Sequence, residues 1–179
     1  MQLSIRNIIA EINNKLGEYF PGATFYGVAT TVESSGKSQP AVGEISVSYD
    51  DAYTVQAYYK VNGVNITYKP GYGELQTTVN TFAISAIVFN NEELSKLKPD
   101  EVAMIIQAVL AKINILSVRI LPTNIILNSR QIFETEYRGV TFPLTEYKSL
   151  MQINMNVEVT FKSGCFDLCP EDFSQCKTN

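Results

Sequence analysis

The sequence contains no histidine among its 179 residues. That removes the commonest general acid and base, the usual activator of serine and cysteine nucleophiles, and the ordinary nitrogen ligand of zinc, copper and non-haem iron. Chemistry without histidine needs a substitute, such as a Gly-rich phosphate loop or a tight cluster of acids, and neither is legible here. Charge is also scarce, at 18% of residues against roughly 25% in soluble domains, so more of the surface is open to cover by a partner. Fourteen basic residues against eighteen acidic ones leave a net charge of −4. That is the wrong sign for wrapping nucleic acid, which requires cations against phosphates, but it is compatible with DNA passing close by without specific binding. No apolar run approaches the ~20 residues of a membrane helix, and the first residues lack the order of a signal peptide. No membrane partner is expected, and the expected compartment is the cytosol.

Cysteine is confined to Cys165, Cys169 and Cys176. An odd number at one end argues against a disulfide framework. Asp167, Glu171 and Asp172 lie among them, but structural zinc uses paired Cys-x2-4-Cys knuckles and four good ligands, and one ligand is missing. Neither metal nor cofactor is expected. The chain reads as a single α+β domain over residues 1–162, followed by a Cys-containing tail over 163–179, which solvent suits and folding does not need.

What the chain does have is pattern. Over residues 2–19, Leu3, Ile5, Ile8, Ile9, Ile12 and Leu16 recur at spacings of three and four, the stripe of an amphipathic helix lying on a sheet, and Pro21-Gly22 stops it. Over residues 41–69, Asn62-Gly63 between two β-rich runs predicts a type I′ hairpin pairing Val61 with Val64, Tyr59 with Ile66 and Ala57 with Tyr68. A three-residue loop Asp50-Asp51-Ala52 then sets Tyr49 against Tyr53, Val47 against Val55 and Ile45 against Ala57. The expectation is a three-stranded meander with one apolar face, and with Tyr58 as surface packing on the polar face. Pro70, Gly71 and Gly73 read as a connecting loop. Residues 74–81 and 82–89 alternate in opposite phases, which predicts two strand segments joined by a kink near Asn80.

Pro99-Asp100-Glu101 starts a second helix, with proline in its first turn and acids at the positive end of its dipole. Val102, Ile105, Ile106, Val109, Leu110 and Ile113 form its apolar stripe. Met104, Ala108 and Ala111 extend that surface, so it is covered on more than one side, either by the chain itself or by a neighbouring subunit. Residues 115–120 and 125–133 read as strands around a loop at 121–124, residues 134–148 as a projecting hairpin or extended loop, and residues 152–162 as a half-buried strand with Ile153, Met155, Val157, Val159 and Phe161 on one face. The fold class is α+β: an antiparallel sheet of meander plus closing strands, packed against the N-terminal helix and a central buried helix. Glu134 with Glu136, and Asp50 with Asp51, are the acid pairs; exposed acids in loops are ordinarily solvated, and nothing places a third partner beside either pair.

The order of elements, carried by residues 5–22, by 102–113, and by Glu134-Thr135-Glu136-Tyr137-Arg138-Gly139-Val140 through 157–161, resembles the neck and tail-terminator ring proteins of tailed bacteriophages. The Thr-rich segment 74–81 and the Cys-bearing tail depart from that pattern and leave open which ring of a head-to-tail connector is meant. The resemblance implies a virion protein, assembled in the host cytoplasm, that closes into a homo-oligomeric ring around the DNA channel between portal, neck or tail neighbours, without catalysis. Asp50 and Asp51 are then candidates for the channel wall, and Met104, Ala108 and Ala111 for the subunit interface. The alternative, from another class, is a small ligand- or peptide-binding domain with its cleft between meander and helices. An enzyme using carboxylates or a thiol comes third.

Overall fold

The computed structural model describes residues 4–69, 77–115, 117–140 and 150–162. Helix α1 (Ile5–Gly17) opens at Ser4, whose Oγ accepts the Asn7 N–H at 3.2 Å and so satisfies one of the free donors of the first turn. It buries Ile8, Ile9, Ile12 and Leu16, the stripe expected from their spacing. The chain then forms β1 (Thr24–Val28), β2 (Thr30–Ser34), β3 (Lys37–Val42), β4 (Ile45–Ser46), β5 (Val55–Lys69), β6 (Thr77–Asn90), α2 (Glu92–Ser95), α3 (Pro99–Lys112), β7 (Val118–Ile126), α4 (Ser129–Glu136) and β8 (Leu150–Lys162).

Two sheets result. The main one has the order β1-β5-β6-β8-β7, antiparallel except that β1 runs parallel to β5; the smaller is antiparallel, β2-β3-β4. Helices α1 and α3 lie on one face of the main sheet, where Val55, Ala57, Tyr59, Ile84, Ala86, Val88 and the odd-numbered β8 residues Met151 to Val159 meet them. On the opposite face Tyr58, Ile87, Phe89 and Leu150 pack against Ile132, Phe133 and Tyr137 of the α4 region and against Ala29 and Val47. The fold is α+β with helices on a sheet, and β8 alternates as its sequence requires.

Asn62-Gly63 does not turn. Strand β5 runs straight through it, and fourteen residues pair with β6 from Val55↔Asn90 to Lys69↔Thr77, the one irregularity being a bulge between Val61 and Gly63. A hairpin at Asn62 would leave most of β6 without its partner, so the long ladder outweighs local turn preference, and Gly63 keeps a φ outside the left-handed region. The positive-φ pair of a type I′ turn sits instead at Ser35 (52°) and Gly36 (76°), joining β2 to β3. The Tyr49–Tyr53, Val47–Val55 and Ile45–Ala57 register is likewise absent, because β4 pairs with β3.

Other expectations change as well. Of the meander's expected core, Val47, Val55 and Tyr59 are buried but Ile45 and Ile66 are 65% and 51% exposed. Tyr58, expected on the surface, is fully buried under α4. The opposite phases of residues 77–81 and 82–89 are the two faces of one continuous strand, with unbroken register to β8 and no kink at Asn80. Residues 121–124 belong to β7, with a bulge after Pro122 rather than a loop, and residues 129–133 lie in α4 rather than in a strand.

Candidate functional surfaces

A buried polar cluster is built where α4 crosses the main sheet. Asn128 caps this helix by accepting the Gln131 N–H at 3.2 Å, and the spacing of Ile132, Phe133, Glu136 and Tyr137 turns all four toward the sheet. Glu136, 7% exposed, receives Lys60 Nζ at 2.9 and 3.0 Å and the Tyr58 hydroxyl at a long 3.4 Å. Burial, and after it the charge environment of Tyr137 and Glu136, pushes the Tyr58 phenol far above its ordinary range; burial does the same to Tyr137. Beside them Ser85 Oγ accepts from Asn62 Nδ2 at 2.7 Å and donates to Asn154 Oδ1 at 2.7 Å, while Gln152 Nε2 donates to that same Asn154 oxygen at 2.8 Å. The arrangement ties β5, β6, β8 and α4 together. It contains a paired carboxylate, neutral phenols and amides, and no base beside a nucleophile.

On the opposite face Asn13 of α1 accepts from the Tyr59 hydroxyl at 2.8 Å and donates to the Tyr26 carbonyl at 2.9 Å, locking α1 over β1 and β5. Burial raises the Tyr59 phenol as well. A cleft of about 310 Å³ opens between α1 and the strands, lined by Arg6, Asn13, Gly27 and Gly43 among others. Arg6 is the one charged group of its lining and Asn13 is already committed, so this cleft lacks the converging polar groups of a small-molecule site.

Asp50 and Asp51 occupy an exposed turn before β5. The Asp50 carboxylate accepts the Ala52 N–H at 2.9 Å, and the loop is held from below: buried Gln56 accepts the Asp50 N–H at 2.7 Å, and Asn91 Nδ2 donates to the Asp51 carbonyl at 3.0 Å. The two acids are presented on a fixed loop. They are not brought to Glu134 or Glu136, and Glu134 is paired instead with Arg130 on the exposed side of α4.

Helix α3 buries Val102, Ala103, Ile106, Val109 and Leu110. Met104, Gln107, Ala108 and Ala111 lie exposed on its other side, Met104 at 66%, so the described part of the chain covers only one stripe of this helix. The second exposed apolar row belongs to β5, where Val64, Ile66 and Tyr68 are 53%, 51% and 68% exposed. Sequence reasoning found the α3 face from the lack of charges in its middle turns, but not the pairing of half-buried Lys60 with buried Glu136, whose signal was the helical spacing of Ile132, Phe133 and Glu136 behind the Asn128 cap.

Among the described residues no cluster of three or more potential metal ligands occurs, and no helix is long and apolar enough to cross a membrane. Cys165, Cys169 and Cys176 lie outside the described residues. Comparison with known protein families finds no match for the chain, and comparison with curated proteins finds none either.

Proposed function

We propose that this chain is a non-enzymatic structural subunit that closes into a cyclic homo-oligomeric ring around the DNA channel of a tailed-phage neck or tail end. The observation that carries the reading is the outer face of α3. Met104, Ala108 and Ala111 stand at i, i+4 and i+7 with only Gln107 exposed between them, so the exposed charges of this helix, Asp100, Glu101 and Lys112, are confined to its two ends and its middle turns are uncharged. A head-to-tail contact on this face repeats around an axis and closes a ring. Two further features support the reading: the sequence offers no histidine for catalysis, and its net charge of −4, with Asp50 and Asp51 on an anchored, exposed loop, suits a wall past which DNA moves without adhering. Portal, neck or tail proteins are the neighbours such a ring would dock on.

The reading is tested by Met104→Glu combined with Ala108→Glu. Both positions are exposed, so the variant should keep the parent's circular dichroism spectrum while the oligomer dissociates in sedimentation velocity. An unaltered oligomer would move the interface elsewhere, and a parent protein that sediments as a monomer would remove the ring.

A further inference from the structure

Strand β1 accompanies β5 only as far as Val28↔Tyr59 and then leaves the sheet at Ala29 to enter the β2–β3 hairpin. From Val61 onward β5 has β6 on one side and, among the described residues, no strand on the other. Residues 62–68 are all exposed. The opposite edge of the same sheet is guarded, because β7 carries Pro122, which has no N–H to offer, and a bulge directly after it. The β5 edge has neither a proline nor an inward-pointing charge between Gly63 and Tyr68. Its register to β6 sets Val64, Ile66 and Tyr68 opposite Phe82, Asn80 and Thr78, on the face where the helices lie, and turns Asn65 and Thr67 to the other face.

We infer that this edge pairs with the same edge of a second copy of the chain, antiparallel across a two-fold axis at Ile66. The occupant follows from the sequence of the edge. With Ile66 opposite Ile66, Val64 meets Tyr68, Asn65 meets Thr67 and Gly63 meets Lys69, so every apolar residue opposes an apolar one and no like charges face each other. Shifting the axis to Asn65 sets Tyr68 against Asn62 in the bulge, and shifting it to Thr67 leaves Val64 with no opposite residue in β5. Only the Ile66 axis satisfies the pattern. The pairing joins two main sheets into one continuous sheet and makes one six-residue apolar patch from two half-exposed rows. It is independent of the ring reading, since a head-to-tail ring joins two different patches whereas this edge meets itself.

The test uses the full chain with Cys165, Cys169 and Cys176 replaced by serine. Ile66→Cys should give a disulfide-linked dimer on mild oxidation at about 0.1 mM protein, because directly opposed strand positions bring Cβ atoms within bridging distance. Val64→Cys alone should not link, whereas Val64→Cys combined with Tyr68→Cys should. In the parent sequence Ile66→Lys should abolish the dimer while the circular dichroism spectrum of the folded chain stays unchanged, since the side chain is half exposed. An Ile66→Cys variant that links no better than a Thr31→Cys control overturns the contact, and efficient linking of Val64→Cys alone overturns the register. A ring without the Ile66→Cys link contradicts this contact alone; a linked dimer that never forms rings supports it and removes the ring.

Discussion

Lys60 Nζ reaches both carboxylate oxygens of Glu136, at 2.9 and 3.0 Å, and among the described residues Glu136 is the one charged side chain that is buried. Lys60 retains 26% exposure of its side chain and Glu136 only 7%, so the two ends of the pair are unequal. Removing the lysine strands a buried carboxylate, whereas removing the carboxylate leaves an ammonium that can turn toward water. Lys60→Met should therefore cost about 2–4 kcal/mol and Glu136→Gln less, about 1–2 kcal/mol. The double variant should recover part of the loss. Urea unfolding of the four proteins measures the coupling, and strict additivity would show that the pair contributes nothing to holding α4.

Val55 is fully buried between α1, α3 and the sheet. Val55→Asp places an unpaired charge there and should cost several kcal/mol, about 3–5, enough to unfold a domain of ordinary stability. A variant that melts within about a degree of its parent would mean that this strand position does not face the core.

The straight path of β5 is open to a simple comparison of two glycines. Gly63 has no positive φ and open space where a side chain would stand, so Gly63→Val should change stability by less than about 0.5 kcal/mol. Gly36 sits at φ +76° in the turn between β2 and β3, and Gly36→Val should cost about 1–3 kcal/mol. A turn at Asn62-Gly63 would reverse the order of the two effects.

Alkaline pH acts on Tyr58, Tyr59 and Tyr137. Burial raises each folded-state pKa above the unfolded value of about 10, so the native protein holds protons that the unfolded chain releases. Their contribution to stability is complete below about pH 10 and falls as pH rises beyond it. The urea midpoint should drop as pH rises beyond about 10, and the drop should shrink in Tyr59→Phe. In absorbance titration, three of the ten tyrosines should ionise only with unfolding; smooth titration of all ten in the folded protein would contradict their burial.

Helices α1 and α3 and strand β8 were legible in the sequence because each buries one stripe against one layer. Ile8, Ile9, Ile12 and Leu16, or Ile153, Met155, Val157 and Val159, need no knowledge of the rest of the chain. The middle of the chain was less legible because its strands are covered on both faces. Tyr58 and Gln56 look like a polar face until α4 and the smaller sheet are placed over them, and α4 itself hides behind β-branched and aromatic residues. Asn62-Gly63 carries the strongest local turn signal, and a fourteen-residue ladder overrides it. The candidate interface residues Met104, Ala108 and Ala111 do stand together on one exposed face, because helical spacing alone fixes which residues share a side. Asp50 and Asp51 stand in an exposed turn, and the Gln56 and Asn91 anchors beneath them were not visible in the spacing.

Single-particle electron microscopy of the full chain carrying Ile66→Lys tests the central claim most directly, since this variant removes the β5 edge contact and leaves α3 as the remaining apolar surface proposed for assembly. The expected result is a closed ring with an axial opening, Met104, Ala108 and Ala111 at the subunit boundary and the Asp50-Asp51 loop on the inner wall. A uniform population of 19.9 kDa monomers, or a ring with α3 on its free outer surface, would contradict the account.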